Sequence, residues 1–250
     1  VLSGYNITIV ADAAMRLFSF LPRALGMGAG VFAIILFAVM TGASATIVRA
    51  SIMALLVVLA RATGRTYQIT RALLIAGFLM LLQNPHILAF DPSFQLSFLS
   101  TIGLIYVAPL IEKRLGWMPT QFGLREAAVA TFATQLAVLP LLLYQTGQLS
   151  LVALPVNLLV LPLIPLSMFL GFLTGMVGFI STLLALPFGF LLYLPLAYEL
   201  AVVHFFSQLP FAAVSVPQIS GIVLLASYAI FAGFLIWFSR RSERGVLKKF

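Results

Sequence analysis

Long apolar runs separated by short polar breaks set the pattern of this chain. The apolar stretches fall at 3–21, 27–41, 44–60, 70–83, 93–111, 124–146, 151–179, 183–208 and 219–239. They are continuous, without the two-residue alternation of a half-buried strand. Between Glu126 and Glu199 there is not one Asp, Glu, Lys or Arg, whereas about 20 apolar residues in a helix suffice to cross the hydrocarbon core. Lipid offers backbone groups no hydrogen bonds, so spanning units must be helices or a closed barrel, and the continuous runs favour helices. The expected fold is all-α, a polytopic transmembrane helical bundle of about nine hydrophobic segments (range about seven to ten), one of them re-entrant or broken.

The breaks and the prolines refine this picture. Segments 27–41 and 70–83 are short for a full crossing, while 151–179 is long and carries Pro155, Pro162 and Pro165. Each proline removes a backbone N–H and kinks a helix, and irregular backbone at membrane depth survives only where protein or a wet cavity covers it. The stretch "LPVNLLVLPLIP" at 154–165 therefore reads either as a broken helix framing a translocation path or as a kinked packing helix. Basic residues gather at Arg23, at Arg61, Arg65 and Arg71, at Lys113, Arg114 and Arg125, and at Arg240, Arg241, Arg244, Lys248 and Lys249. If every segment crosses, all these clusters share one side, which the positive-inside rule makes the cytoplasm, and the 84–92, 146–150 and 209–218 connections lie outside. The expected organisation is a transmembrane domain over 1–239 followed by a basic juxtamembrane tail over 240–250.

Composition agrees: 62% of residues are hydrophobic and 8% charged, against about a quarter charged in a soluble domain. The net charge of +8 follows from the topology rule and by itself indicates no nucleic acid. There is no cysteine and only two histidines, so disulfides, iron–sulfur clusters and thiolate zinc sites are excluded, and no metal or cofactor is expected. The chain opens on Val1 without a signal-peptide pattern and is expected to begin inside a longer protein.

A few polar groups fall at membrane depth. Asp12 and Arg16 are four residues apart, so a helix puts them on one face, where they can neutralise each other or line a polar path. In "TGASATIVRASIMA", Gly42, Ala45, Thr46 and Arg49 project within about 60° of one another on a helix at about 100° per residue. Small residues face neighbouring helices, so Arg49 does too. Gly42, Thr46, Ala50 and Ala54 also recur every four positions, a ridge that allows close helix packing. Asp12, Glu126 and Glu199 are candidate partners for Arg49, whose alternative role is to attract an anionic substrate in a pore. Asp91 before Pro92 reads as a helix cap, followed by Gln95, Ser97 and Ser100 on the next helix. His86 lies in the same turn, and His204 reads as a buried, hydrogen-bonding histidine. Gln135 near Pro140, and later Asn157, can bond helices together or contact a solute.

These motifs together resemble one family, the ComEC-type bacterial competence proteins, membrane channels associated with uptake of single-stranded DNA in natural transformation. "LSGYNITIV" at 2–10 is similar to the family's opening Ser-Gly block, and "TGASATIVRASIM" at 41–53 to its Gly-x-Ser-x-x-x-x-Arg-Ala-x-x-Met block. "NPHILAFDPSFQLSFLSTIGL" at 84–104 carries the most specific feature, the Phe-Gln-Leu-Ser-Phe run, and "ATQLAVLPLLLYQTGQLSLVALPVNLLVLPL" at 133–163 resembles the later polar and proline series. Where the opening block commonly reads Ser-Gly-Leu-His, this chain has Tyr5 and Asn6. Family members often carry an oligonucleotide-binding-type module and a metallo-β-lactamase-like nuclease module. No His-x-His-x-Asp signature occurs here, and no enzymatic activity is expected of this chain.

The resemblance implies a channel that passes single-stranded DNA into the cytoplasm, in the bacterial cytoplasmic (inner) membrane. It further implies an external DNA receptor and a cytoplasmic ATP-driven DNA translocase as partners, besides the lipid bilayer, and is compatible with a homo-oligomer. Arg49 and Arg16 are the expected phosphate contacts, with Asp12, Asn6, Gln95, Ser97, Gln135 and Asn157 as further path candidates. The rival readings are a small-solute or ion secondary transporter and a nonconducting membrane scaffold.

Overall fold

The computed structural model describes residue 7 and residues 23–119 and 123–247, with side chains over 25–119 and 123–235 besides that of Ile7. Apart from two three-residue strands, its regular elements are helices. Among the described residues, four helical stretches are long and apolar enough to cross a membrane: Ala45–Thr63, Leu124–Gln145, Ala153–Ile180 and Thr182–Ser207. The shorter apolar helices Leu25–Met40, Ile69–Gln83 and Gly221–Leu235 accompany them. The chain is thus an all-α helical membrane protein. It divides into two compact units, Val1–Ile105 and Tyr106–Phe250.

The first unit contains α1 (Arg23–Met40), α2 (Ala45–Thr63), α3 (Ile69–Gln83), α4 (Ile87–Phe90) and α5 (Pro92–Tyr106). After α1, Gly42 and Ala43 take φ of +80° and +47°, a left-handed conformation that a right-handed helix cannot contain. Thr41 Oγ1 donates 2.6 Å to the Phe37 carbonyl and closes the helix end. This corrects one expectation: α2 begins at Ala45, so Gly42 lies off the ridge on which periodicity places it. At its other end, α2 stops at Gly64, which has φ +64° and gives its N–H to the Ala60 carbonyl, a left-handed glycine cap. Asp91 opens α5, with Oδ1 accepting from the backbone N–H of Ser93 at 2.8 Å and of Phe94 at 3.3 Å.

Two apolar clusters hold this unit. Ile7, Ile34, Ala50 and Val58 form one, with Ala54 packed against it, and Met53, Ala72, Leu73 and Ala76 form the other, flanked by Phe98 and Ile102. A Cβ at Gly77 would lie 3.0 Å from the Phe98 ring. The missing side chain on α3 is what lets the second Phe of Phe-Gln-Leu-Ser-Phe seat itself, in the manner of close helix approach over small residues.

The second unit contains α6 (Ala108–Glu112), α7 (Leu124–Gln145), β1 (Gln148–Ser150), α8 (Ala153–Val160), a 3₁₀ turn (Leu161–Leu163), α9 (Ile164–Ile180), α10 (Thr182–Ser207), β2 (Ala213–Ser215) and α11 (Gly221–Leu247). The expected segment 93–111 is broken at Val107. Pro109 has no N–H for the Ile105 carbonyl and its ring crowds the preceding turn, so α5 ends at Tyr106 and α6 restarts with the proline as its second residue. Segment 151–179 is likewise interrupted: Pro155 sits inside α8, Pro162 in the 3₁₀ turn and Pro165 second in α9. The 240–247 stretch continues α11 as helix.

Periodicity gives no hint of the strands. β1 and β2 pair antiparallel, Gln148 opposite Ser215 and Ser150 opposite Ala213, which joins the 146–150 and 209–218 connections into one ribbon. Gly147 begins it with φ +63°, and a Cβ there would lie 2.7 Å from the Val216 carbonyl oxygen. Only glycine meets both conditions. The ribbon pins the end of α7 to the start of α11, and the Tyr228 hydroxyl on α11 donates 3.1 Å to the Ala137 carbonyl. That contact lies beside Pro140, whose missing N–H already loosens this turn of α7.

Candidate functional site

The face of α2 that meets α5 is polar in an otherwise apolar unit. Arg49 is only 4% exposed. Its Nε donates 2.6 Å to Ser97 Oγ on α5, and its Nη1 lies 3.4 Å from the Met53 sulfur. One turn earlier, the Thr46 and Ser93 hydroxyls are 3.1 Å apart. Ser100 and Thr101, both buried, turn their hydroxyls back onto the Ser97 carbonyl at 2.9 and 2.8 Å, so they do not compete with the guanidinium for the Ser97 hydroxyl. Ser93, Ser97, Ser100 and Thr101 recur at three- and four-residue intervals and so share one helix face. Together with Thr46 and Arg49 they make a continuous seam of polar atoms between two helices.

A guanidinium carries five N–H donors. Two are engaged by described residues, and no carboxylate among those residues pairs with the charge. Asp91 is committed to its cap. Glu199, named beforehand as a candidate partner, accepts from Ser167 Oγ at 3.0 Å within the second unit. A cation within a spanning helix costs up to about 2.5–3.5 kcal/mol on insertion scales, the value at the helix centre, and a hydroxyl and a thioether do not neutralise it. Among the described residues the seam thus holds one cation and no anion. Its field reaches Tyr67 in the 64–68 connection: burial pushes the phenol up from its ordinary 10.0, and the Arg49 charge opposes that rise.

The other expected residues divide cleanly. Ala50 is buried and Ala54 packs on the neighbouring cluster, so the α2 ridge is Thr46, Ala50 and Ala54. Gln95 donates to the Leu88 and Ala89 carbonyls at 2.9 and 3.0 Å and so braces α4 against α5. Asn157 on α8 donates 3.3 Å to Thr131 Oγ1 on α7, a hydroxyl only 3% exposed, with Gln135 half-buried one turn further on. His204 is exposed rather than buried, its ring nitrogen 2.8 Å from the Gln208 amide. Asn6, Asp12 and Arg16 lie outside the described residues. Among the described residues no group of three His, Cys, Asp or Glu is placed to hold a metal ion. Sequence reading passed over Ser93, Thr101, Tyr67 and Thr131. The hydroxyl spacing on α5 was a usable signal for the first two, and nothing local marks the others.

With that geometry in place, the family model described as Competence protein matches residues 1–241. Among curated proteins, ComE operon protein 3 of Bacillus subtilis (strain 168) is 28% identical over 127 residues. The matched stretch is 51% of this chain and 16% of that protein, so the chain covers a small part of its relative's length. No solved structure matches.

Proposed function

Since the chain belongs to the competence protein family, we propose that its helical bundle forms the membrane path by which single-stranded DNA enters the cytoplasm during natural transformation. The observation that carries the reading is the buried Arg49 guanidinium on a hydroxyl-lined helix face, with no carboxylate partner among the described residues. Single-stranded DNA brings one negative charge per phosphate, so its passage needs a wet lining with cations that attract without trapping. A single guanidinium flanked by neutral hydroxyls has that balance. In the arrangement described here Arg49 is sealed at 4% exposure, so phosphate reaches it only after α2 and α5 part. Serine and threonine hydroxyls make that parting cheap, because each can exchange its partner for water at similar cost.

On this reading the chain is a conduit, and energy comes from elsewhere. Polyanion entry against a negative interior costs about 2.3 kcal/mol per charge per 100 mV, which calls for a cytoplasmic ATP-driven translocase, with a DNA receptor outside. The bundle sits in the bacterial cytoplasmic membrane, with the β1–β2 ribbon outside and the basic end of α11 inside, in keeping with the positive-inside rule. The break at Leu161–Leu163 and the Ser167–Glu199 contact favour one second reading, a small-solute or ion transporter whose path runs through the second unit.

Arg49→Gln separates the two. In cells that depend on this chain for DNA uptake, the substitution is expected to lower uptake at least about 10-fold at unchanged membrane level, since one lost charge contact at about 1.4 kcal/mol is tenfold, with Arg49→Lys intermediate. Unchanged uptake in Arg49→Gln, combined with loss in Glu199→Gln, favours the transporter reading instead.

A further inference from the structure

The connection between α2 and α3 borders a cavity of about 540 Å³ whose two ends differ in chemistry. Its floor is apolar, built from Leu56 and Leu59 of α2 and Ile75 of α3, and its rim carries Arg65, Gln68 and Arg71. Both rim arginines are exposed. Asp91, the one carboxylate among the described residues of this unit, caps α5 beyond the far end of α3. The stretch from Arg65 to Arg71 itself contains no Asp or Glu.

Two further features point to an anion at the rim and an apolar chain below it. Gln68, at the N-cap of α3, makes no side-chain capping bond, so the first-turn N–H groups of a 15-residue helix remain directed at the rim, where they favour negative charge. The rim also coincides with the end of α2 and the start of α3, which is where spanning helices meet water. From Thr63 back to Leu56 is about 10 Å along a helix at about 1.5 Å per residue, and over that distance the lining changes from arginine to leucine. Leu59, at 57% exposure, and Leu74, at 68%, continue the apolar surface toward the acyl region.

We propose that this groove binds one anionic phospholipid, its phosphate held by Arg65, Arg71 and the α3 N-terminus and an acyl chain lying along Leu56, Leu59 and Ile75. A nucleic-acid strand fits the rim, but Tyr67 is the one aromatic ring in the lining, too few for the successive base stacking that holds a single strand, and Leu56, Leu59 and Ile75 offer it nothing. Inorganic phosphate matches the rim chemistry and leaves the floor empty. Basic pockets between spanning helices near the membrane surface hold lipid headgroups by the same combination.

Native mass spectrometry of the detergent-purified chain tests this, with phosphatidylglycerol, phosphatidylcholine, inorganic phosphate and a 20-residue oligothymidylate as probes. Two arginines at about 1 kcal/mol each correspond to about 30-fold, so phosphatidylglycerol is expected to bind about 30-fold tighter than phosphatidylcholine. The preference should vanish in R65Q/R71Q, persist in R65K/R71K, and resist displacement by phosphate or oligothymidylate at equal concentration. L59Q should weaken both lipids while the preference between them survives. Equal binding of the two lipids by the unsubstituted chain overturns the proposal, as does a preference that survives R65Q/R71Q. Displacement by inorganic phosphate makes the site a bare anion site, and displacement by oligothymidylate makes it a nucleic-acid contact. Either displacement also overturns the lipid assignment.

Discussion

The Arg49–Ser97 bond makes a quantitative prediction about stability. Ser97→Ala removes the acceptor of a 2.6 Å bond from a guanidinium that is 4% exposed, leaving an Nε–H with no acceptor in a dry helix interface. Charge-assisted bonds contribute about 1.5–3 kcal/mol in soluble proteins, while interhelical bonds in membranes average about 0.6 and reach about 1.7 kcal/mol. A short, charged, fully buried bond belongs at the top of the membrane range, so Ser97→Ala should destabilise by about 1.5–2 kcal/mol. Arg49→Met should behave oppositely. It removes the bond together with the cost of burying the charge, at most about 2.5–3.5 kcal/mol, so stability should stay within about 0.5 kcal/mol of the original or rise. The double variant completes a cycle with a coupling of about 1.5 kcal/mol. Denaturant titration in mixed micelles, followed by tryptophan fluorescence or circular dichroism, reads all three. Additive effects within about 0.3 kcal/mol would show that the bond carries no energy. An Arg49→Met cost above about 3 kcal/mol, the size expected when half of a buried ion pair is removed, would show that Arg49 is a neutralised staple and would refute its role as a charge open to an anionic strand.

Other consequences follow from single contacts. Gly147→Ala places a methyl group 2.7 Å from the Val216 carbonyl oxygen at φ +63°; it should cost at least about 1–2 kcal/mol and expose the 209–218 connection to limited proteolysis. Ser167→Ala deprives Glu199 of its donor and should lower the thermal midpoint by an amount equivalent to about 1 kcal/mol, whereas Glu199→Gln should not. Because burial raises the Tyr67 phenol above its ordinary 10.0, the unfolded chain loses that proton first as pH rises. The contribution of Tyr67 is then complete below pH 10.0 and declines from there up to the raised folded value. Tyr67→Phe should flatten that alkaline decline in a pH series of thermal melts; an identical decline in both proteins would remove Tyr67 as its source.

Much of the fold was legible because lipid restricts the backbone so severely. Segments 70–83 and 124–146 differ from Ile69–Gln83 and Leu124–Gln145 by a residue at an end, and the orientation of Arg49 followed from the small residues sharing its face. Three features were not legible, each for a stated cause. Gly42 joined the ridge on paper because period alone does not see a left-handed backbone. Pro109 was swallowed by a long apolar run, although its missing N–H decides where α5 ends. The ribbon consists of two three-residue strands more than sixty positions apart, whose pairing depends on the helices that bring the connections together and not on their own composition. The candidate site shows the same division. That Arg49 faces protein was written in its neighbours; that Ser97, 48 positions away, is its partner depends on the rotation of α5, which sequence period leaves free.

Cysteine accessibility along the seam tests the DNA path most directly, and a chain with no cysteine of its own gives single substitutions a clean background. Thr46→Cys and Ser93→Cys flank Arg49 without removing its bond to Ser97. In cells taking up DNA, both should react with a small membrane-impermeant thiol reagent, and both should be protected when a strand is stalled in transit by a bulky block on its trailing end. Reaction that is unaffected by the stalled strand, or that appears only after detergent disrupts the membrane, would contradict a DNA path along α2 and α5.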